Sequence, residues 1–179
     1  MYPLVSTNPV TLSYTSTYAS PLGQILLNTT NAKLTGLWFA EQKYFGSTLG
    51  MKSVIENRPI FLQVKAWLDV YFRGEIPREM PPLEFQGTAF QKLVWQELCA
   101  IPYGQTDTYA QITKRVSQHL GRRTSPRAVG SAIARNPISI LVPCHRVIGT
   151  NGRLTGYAGG LERKIYLLKL EGVLLDAWR

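Results

Sequence analysis

The chain has 179 residues, 45% of them hydrophobic and 17% charged, which suits one globular domain or two small ones and excludes an extended disordered or fibrous chain. Lys plus Arg number 20 against 11 Asp plus Glu, for a net charge of +9; this attracts polyanions such as nucleic acid, although a merely basic soluble surface fits the charge equally well. Two cysteines (Cys99, Cys144), two histidines (His119, His145) and no CxxC spacing exclude a disulfide framework and a four-ligand zinc site.

In chain order, the opening Met1–Val10 lacks the basic and apolar regions of a secretory signal, so a cytoplasmic protein is expected. Val10–Tyr18, Gln24–Asn28 and Leu34–Phe39 read as a β-meander, turning first at Pro21-Leu22-Gly23. Ile60–Tyr71 reads as a helix with Phe61, Val64, Lys65, Leu68, Val70 and Tyr71 on one side, ended by Gly74. Three prolines within Ile76–Pro82 remove amide donors and forbid helix. The boundary is placed there: residues 1–82 form an N-terminal α/β domain and 83–179 a second domain.

Thr88 with Gln91 forms a capping box, opening a helix to about Cys99 that buries Phe90, Leu93, Val94 and Leu98. Cys99, at the border of that face, reads as a small buried hydrophobe. Thr108 with Gln111 forms a second capping box for a helix from Tyr109 to about Gln118. Ser125 is an N-cap with Pro126 at the first helical position, for a helix reaching Arg135 and stopped by Asn136-Pro137. These two short helices resemble a helix-turn-helix. Between Arg127 and Arg135 the last is built of Ala128, Val129, Gly130, Ser131, Ala132, Ile133 and Ala134. Gly130 costs about 1 kcal/mol against Ala, and close approach of another surface compensates. Tight packing on a neighbouring helix would suffice; with both arginines and the charge excess, DNA is the better reading.

No apolar run reaches the roughly 20 residues that a bilayer requires. The longest candidate, Ile138–Val142, instead delivers Pro143-Cys144-His145-Arg146. A thiol becomes a strong nucleophile as thiolate, and the flanking His145 and Arg146 are expected to favour that form. Asn151-Gly152 signals a hairpin between Val147–Gly149 and Leu154–Thr155. Gly156-Tyr157-Ala158-Gly159-Gly160 is a loop able to lie close to a flat ligand. The last helix, Leu161–Glu171, closes at Gly172. Glu171 opposes the helix dipole there, which a cationic partner such as His145 would resolve and a solvated surface position would equally explain.

Pro143-Cys144-His145-Arg146-Val147, Arg127-Ala128-Val129-Gly130, Asn136-Pro137, Gly156-Tyr157-Ala158-Gly159-Gly160 and Glu171-Gly172, in order between about Thr88 and Gly172, resemble the O6-alkylguanine-DNA alkyltransferase family. The resemblance implies a ribonuclease-H-like N-terminal domain and a mostly helical, winged-helix-like C-terminal domain. It implies irreversible transfer of the alkyl group of O6-methylguanine, and of O4-methylthymine, in double-stranded DNA to Cys144, with one turnover per molecule and no cofactor. His145, held by Glu171, would draw the thiol proton through water. Tyr109 would protonate the departing guanine and crowd the phosphate so that the nucleotide rotates out. Arg127 would fill the vacated stack, with Ala128, Gly130, Ser131 and Arg135 on the same helix against the minor groove. Asn136 would fix the turn before an active-site strand; Val147, Tyr157, Ala158 and Gly159 would line the pocket. A monomer is expected, with cooperativity on DNA left open. Ser139 stands where some members carry a second proline, implying a looser pocket edge, and Ala158 replaces a serine of certain relatives. No Cys or His precedes Cys99, so no zinc is carried over. A Cys–His hydrolase and a non-catalytic damage binder are the rival classes; adjacency of Cys144 and His145 disfavours the first, and Cys144 itself the second.

Overall fold

In the computed structural model, which describes residues 12–173, four strands and a helix precede a mainly helical second half. The strands are β1 (Leu12–Ser20), β2 (Gly23–Thr29), β3 (Leu34–Phe39) and β4 (Lys52–Ile55), in the order β3-β2-β1-β4. β1–β2 and β2–β3 are antiparallel, whereas β4 lies parallel to β1. The expected start of the first strand at Val10 lies outside the described residues. β4 was not legible beforehand: all four of its residues are exposed, so it carries no alternation of apolar and polar positions.

α1 (Pro59–Phe72) packs on this sheet and buries Ile60, Phe61, Val64, Trp67, Leu68 and Tyr71. The expected apolar side therefore shifts slightly, taking in Trp67 and leaving Lys65 and Val70 half-buried. Lys65 extends from that border so that its ammonium donates to Ser16 Oγ at 2.8 Å.

All six residues of β3 are buried, because its outer edge is covered rather than exposed. Leu34 bonds to both Pro82 O and Glu84 N, at 2.8 and 2.9 Å. Leu37 N donates to Pro137 O at 2.8 Å, and Leu37 O accepts from Ser139 N at 2.9 Å. The second half thus completes the first half's sheet edge, and one apolar cluster runs from Ile25 through Trp95 and Ile138 to Leu167.

The second half comprises α2 (Ala89–Cys99), β5 (Asp107–Thr108), α3 (Tyr109–Leu120), α4 (Pro126–Ala134), β6 (Val147–Ile148) and α5 (Leu161–Leu170). Both capping boxes form, Thr88 with Gln91 and Thr108 with Gln111. Ser125 caps α4 by accepting from Ala128 N at 3.1 Å. Trp95 Nε1 donates to Ala132 O at 2.9 Å, so α2 supports α4 from behind.

Three local expectations are corrected. Cys99 is exposed, since α2 turns Val94, Trp95, Glu97 and Leu98 inward instead, with Phe90 and Leu93 only half-buried. The Asn151-Gly152 turn closes, Gly149 N to Arg153 O at 2.9 Å, but β6 pairs in parallel with β5 rather than with Leu154–Thr155. No strand leads directly into Cys144: Ile138–Val142 runs as tight turns through Ile140 at φ +70°, and Cys144–Arg146 form a 3₁₀ turn. Ser125→Ala should lower unfolding free energy by about 1 kcal/mol, through the lost cap of α4, in urea denaturation of the full chain.

Candidate functional site

Asn136 sets the geometry from which the site is built. Buried at the end of α4, it accepts from Ile138 N at 3.0 Å through Oδ1. Its Nδ2 donates to Val142 O at 2.8 Å and to Cys144 Sγ at 3.1 Å. One carboxamide therefore both closes the turn and presents a donor to the sulfur. Ser139 Oγ donates to Gln42 Oε1 at 3.1 Å, so this edge is tied to the N-terminal half rather than loosened by the missing proline.

Cys144 is 5% exposed, and that surface lines a cavity of about 350 Å³. Gly130, Ile133 and Ala134 of α4 form one wall, Tyr109 another, and Gly156, Tyr157 and Ala158 the third. The small residues of α4 leave this space open; Gly130 faces the Tyr109 ring, and a methyl added there would lie 3.9 Å from it. Gly159 does not line the cavity. It backs the wall, because a Cβ there would sit 2.6 Å from the Tyr157 ring. Val147 is likewise fully buried beneath the site, its carbonyl accepting from Lys164 Nζ at 2.5 Å.

Behind the sulfur lies a buried carboxylate. Glu171 Oε1 accepts from His145 Nε2 at 2.6 Å, from Tyr71 Oη at 2.7 Å and from Arg146 Nη2 at 3.1 Å. Its Oε2 accepts from Arg146 Nε at 2.8 Å and from Gly104 N at 3.2 Å. Gly104 adopts φ +72°, and a Cβ there would meet Glu171 O at 2.9 Å, so glycine is required where this chain reaches the carboxylate. Burial by itself would raise the Glu171 pKa; the hydrogen bonds from His145 and Arg146, with the Arg146 charge, outweigh it and draw the value down to about 2. An ionised carboxylate can only accept, so Nε2 of His145 carries the proton and Nδ1 holds a lone pair. Nδ1 is buried without a hydrogen-bond partner among the described residues. Burial lowers the His145 pKa against the pull of Glu171, keeping the ring neutral.

The expected ionisation of Cys144 by its neighbours is corrected here. Arg146 turns away from the sulfur to Glu171 and to Ile101 O, and burial raises the thiol pKa, opposed by the Asn136 hydrogen bond and the Lys164 charge. The resting sulfur is a thiol. Arg146, with His145, also resolves the unfavourable placement of Glu171 at the end of α5.

Two further residues escaped sequence reasoning. Tyr71 is fully buried on α1, so the N-terminal half supplies a donor to the carboxylate; a tyrosine on an apolar helix face, whose hydroxyl needs a partner, was the available signal. Lys164 is fully buried, with burial lowering its pKa to about 8, and also donates to Thr155 O at 2.8 Å. Its place among Leu167 and Leu168 on the apolar face of α5 was the signal.

Arg127, Ser131 and Arg135 lie exposed along α4, with Ala128 half-buried. The Arg135 guanidinium sits 4.5 Å above the Tyr44 ring, whereas Arg127 extends from the first turn. α3 ends at Gly121, φ +62°, and Thr124 N donates to Ser117 Oγ at 3.1 Å, fixing the turn into α4. No helix among the described residues is long and apolar enough to cross a membrane.

Residues 13–85 match the family model described as 6-O-methylguanine DNA methyltransferase, ribonuclease-like domain, and residues 89–173 match its DNA binding domain. The methylated-DNA–protein-cysteine methyltransferase of Methanosarcina acetivorans is 44% identical over 165 residues, covering 89% of this chain and 98% of that protein. That of Mycobacterium leprae is 44% identical over 152 residues, covering 85% and 88%. A crystal structure of Mycobacterium tuberculosis OGT in complex with DNA superposes with a TM-score of 0.76 at 40% identity, covering 89% of this chain and 92% of that one. An α/β half carrying a donor for the carboxylate, and a helical half carrying the thiol, belong to one recognised architecture: the chain is a member of the 6-O-methylguanine DNA methyltransferase family.

Proposed function

We propose that this protein repairs double-stranded DNA by transferring the methyl group of O6-methylguanine, and of O4-methylthymine, irreversibly to its own Cys144. The observation that carries this reading is the sulfur's position on the wall of a cavity built from α4 and the Gly156–Ala158 loop, with a proton acceptor buried behind it. The substrate oxygen is inaccessible inside a duplex, so the nucleotide must leave the stack. α4 lies in the minor groove through Ala128, Gly130, Ser131 and Arg135, and Arg127 fills the gap. Readout there is largely insensitive to sequence, as repair requires. In family terms the halves act as ribonuclease-H-like and winged-helix-like domains, divided near residue 82, and the protein works as a cytoplasmic monomer where thiols stay reduced.

The thiol proton passes through a water to Nδ1 of His145, whose developing charge is balanced by Glu171. Asn136 donates to the sulfur as it becomes anionic. The thiolate then attacks the methyl carbon in line, forming the C–S bond as the bond to O6 breaks. Burial raises the Tyr109 pKa, so its hydroxyl stays protonated and can donate to the departing base. Tyr157 and Ala158 hold the base, while Val147 and Gly159 support that wall from behind. A thioether has no easy reversal, so each molecule acts once.

After incubation with methylated duplex, mass spectrometry should find one methyl in place of one hydrogen on the Cys144 peptide. Cys144→Ala should abolish the gain, and sustained turnover on an ester or amide would instead identify a hydrolase. Arg127→Ala should slow repair of duplex roughly tenfold more than reaction with free O6-benzylguanine, because only duplex leaves a stack to fill; equal losses would remove the finger role.

Glu171 carries a pH signature. Its folded pKa of about 2 lies below the ordinary 4.5, so its stabilisation is present above pH 4.5 and is lost as the pH falls through 2. The contribution is on the order of 3 kcal/mol. Glu171→Gln should slow methyl transfer, leave DNA affinity nearly unchanged, and flatten the acid loss of thermal stability; an unchanged acid slope would assign that loss to other carboxylates.

A further inference from the structure

Part of the cavity lining comes from the N-terminal half. Lys43 lines the same cavity as Cys144, and among the described residues it is the one charged side chain that does so. Its backbone is seated with care: Lys43 N donates to Ala158 O at 3.0 Å, joining this loop to the base-facing one. On one side, Gln42 is buried and its Oε1 accepts from Phe39 N at 2.9 Å and from Ser139 Oγ at 3.1 Å. On the other, Tyr44 lies beneath the Arg135 guanidinium at 4.5 Å. Glu41 and Tyr44 hold φ of +64° and +58°, a left-handed conformation that non-glycine residues rarely adopt and that persists where surrounding contacts impose it. The loop is thus docked at three consecutive residues against the segment before Cys144, the pocket loop and α4. It leaves the Lys43 side chain exposed at the mouth.

Resting on the reading that a damaged nucleotide enters this cavity, we infer that Lys43 binds a phosphate flanking the extruded nucleotide, as a contact supplied by the N-terminal half. Lys offers three donors and a positive charge but no acceptor. The neutral purine presents no anion for it, whereas the DNA backbone carries one at every nucleotide. A base swung into the cavity draws its own phosphates toward the rim. A cation placed at that rim attracts the extruded state more than the stacked one, and so favours flipping without reading sequence.

The test uses the full chain with Lys43→Gln and Lys43→Arg. Second-order rates are measured on a duplex containing one O6-methylguanine, over a series of potassium chloride concentrations, and on free O6-benzylguanine, which has no phosphate. Lys43→Gln should lower the duplex rate roughly fivefold more than the free-base rate, and make the log–log salt dependence shallower by about 0.9, the release of one counterion. Lys43→Arg should keep the wild-type slope. Equal losses on both substrates would mean that Lys43 acts on the thiol or the base, and an unchanged salt slope would mean that it touches no phosphate; either overturns the inference. Absence of methyl transfer to Cys144 in the wild-type protein would overturn the underlying reading instead, and is scored separately by mass spectrometry.

Discussion

The arrangement turns on one carboxylate that must stay ionised with its side chain fully enclosed. Removing such a charge from water is costly unless it is paired and hydrogen-bonded throughout. Glu171 meets that requirement with donors from α1, from the turn at Gly104 and from the 3₁₀ turn Cys144–Arg146. Each donor belongs to an element far away in sequence, so satisfying the charge also fixes where these elements meet. The same anion dictates the tautomer of His145, and that choice leaves the opposite ring nitrogen free to accept a proton. A structural necessity and a chemical preparation are met by one group.

The sulfur is prepared differently. It is not held as a thiolate beside a cation; burial keeps it protonated and Arg146, two residues on in sequence, is committed to Glu171. Reactivity is therefore latent. The Asn136 amide already donates to the sulfur and the His145 ring keeps an unpartnered nitrogen, so the proposed transfer would start from donors and acceptors in place, a preorganisation that needs no rearrangement. Keeping the resting thiol neutral also limits oxidation, which follows thiolate character and exposure. Under the proposed single-turnover reaction, that restraint matters.

The N-terminal half is more than a support. Its β3 edge receives the backbone of Pro137 and Ser139, its Tyr71 reaches the buried carboxylate, and its loop at Gln42–Tyr44 closes the cavity rim. An exposed edge strand would be a pairing hazard; here the segment leading to Cys144 covers it, so burying that edge and positioning the Cys144 thiol are one event.

Much of this was readable along the chain. Capping boxes at Thr88 and Thr108 and the Ser125-Pro126 start of α4 are local devices, complete within four residues, and they formed where the residues called for them. The ordered motifs around Cys144, Asn136 and Glu171 marked the family for a similar reason: spacing along a chain is preserved in its sequence. Other features escaped. β4 is exposed and pairs only through its backbone, β5 and β6 are two residues each, and Arg146 faces Glu171 rather than its own neighbour in sequence. Tyr71 looked like an ordinary member of an apolar helix face, and Lys164 on such a face gave no hint of its partners. Linear order reveals what neighbouring residues can do to one another, namely begin a helix, turn a chain or announce a reactive thiol. Which distant donor satisfies a buried charge, and whether a thiol rests neutral, depends on desolvation and on partners up to 100 residues apart, as for Tyr71 and Glu171, and these exist only once the chain has packed.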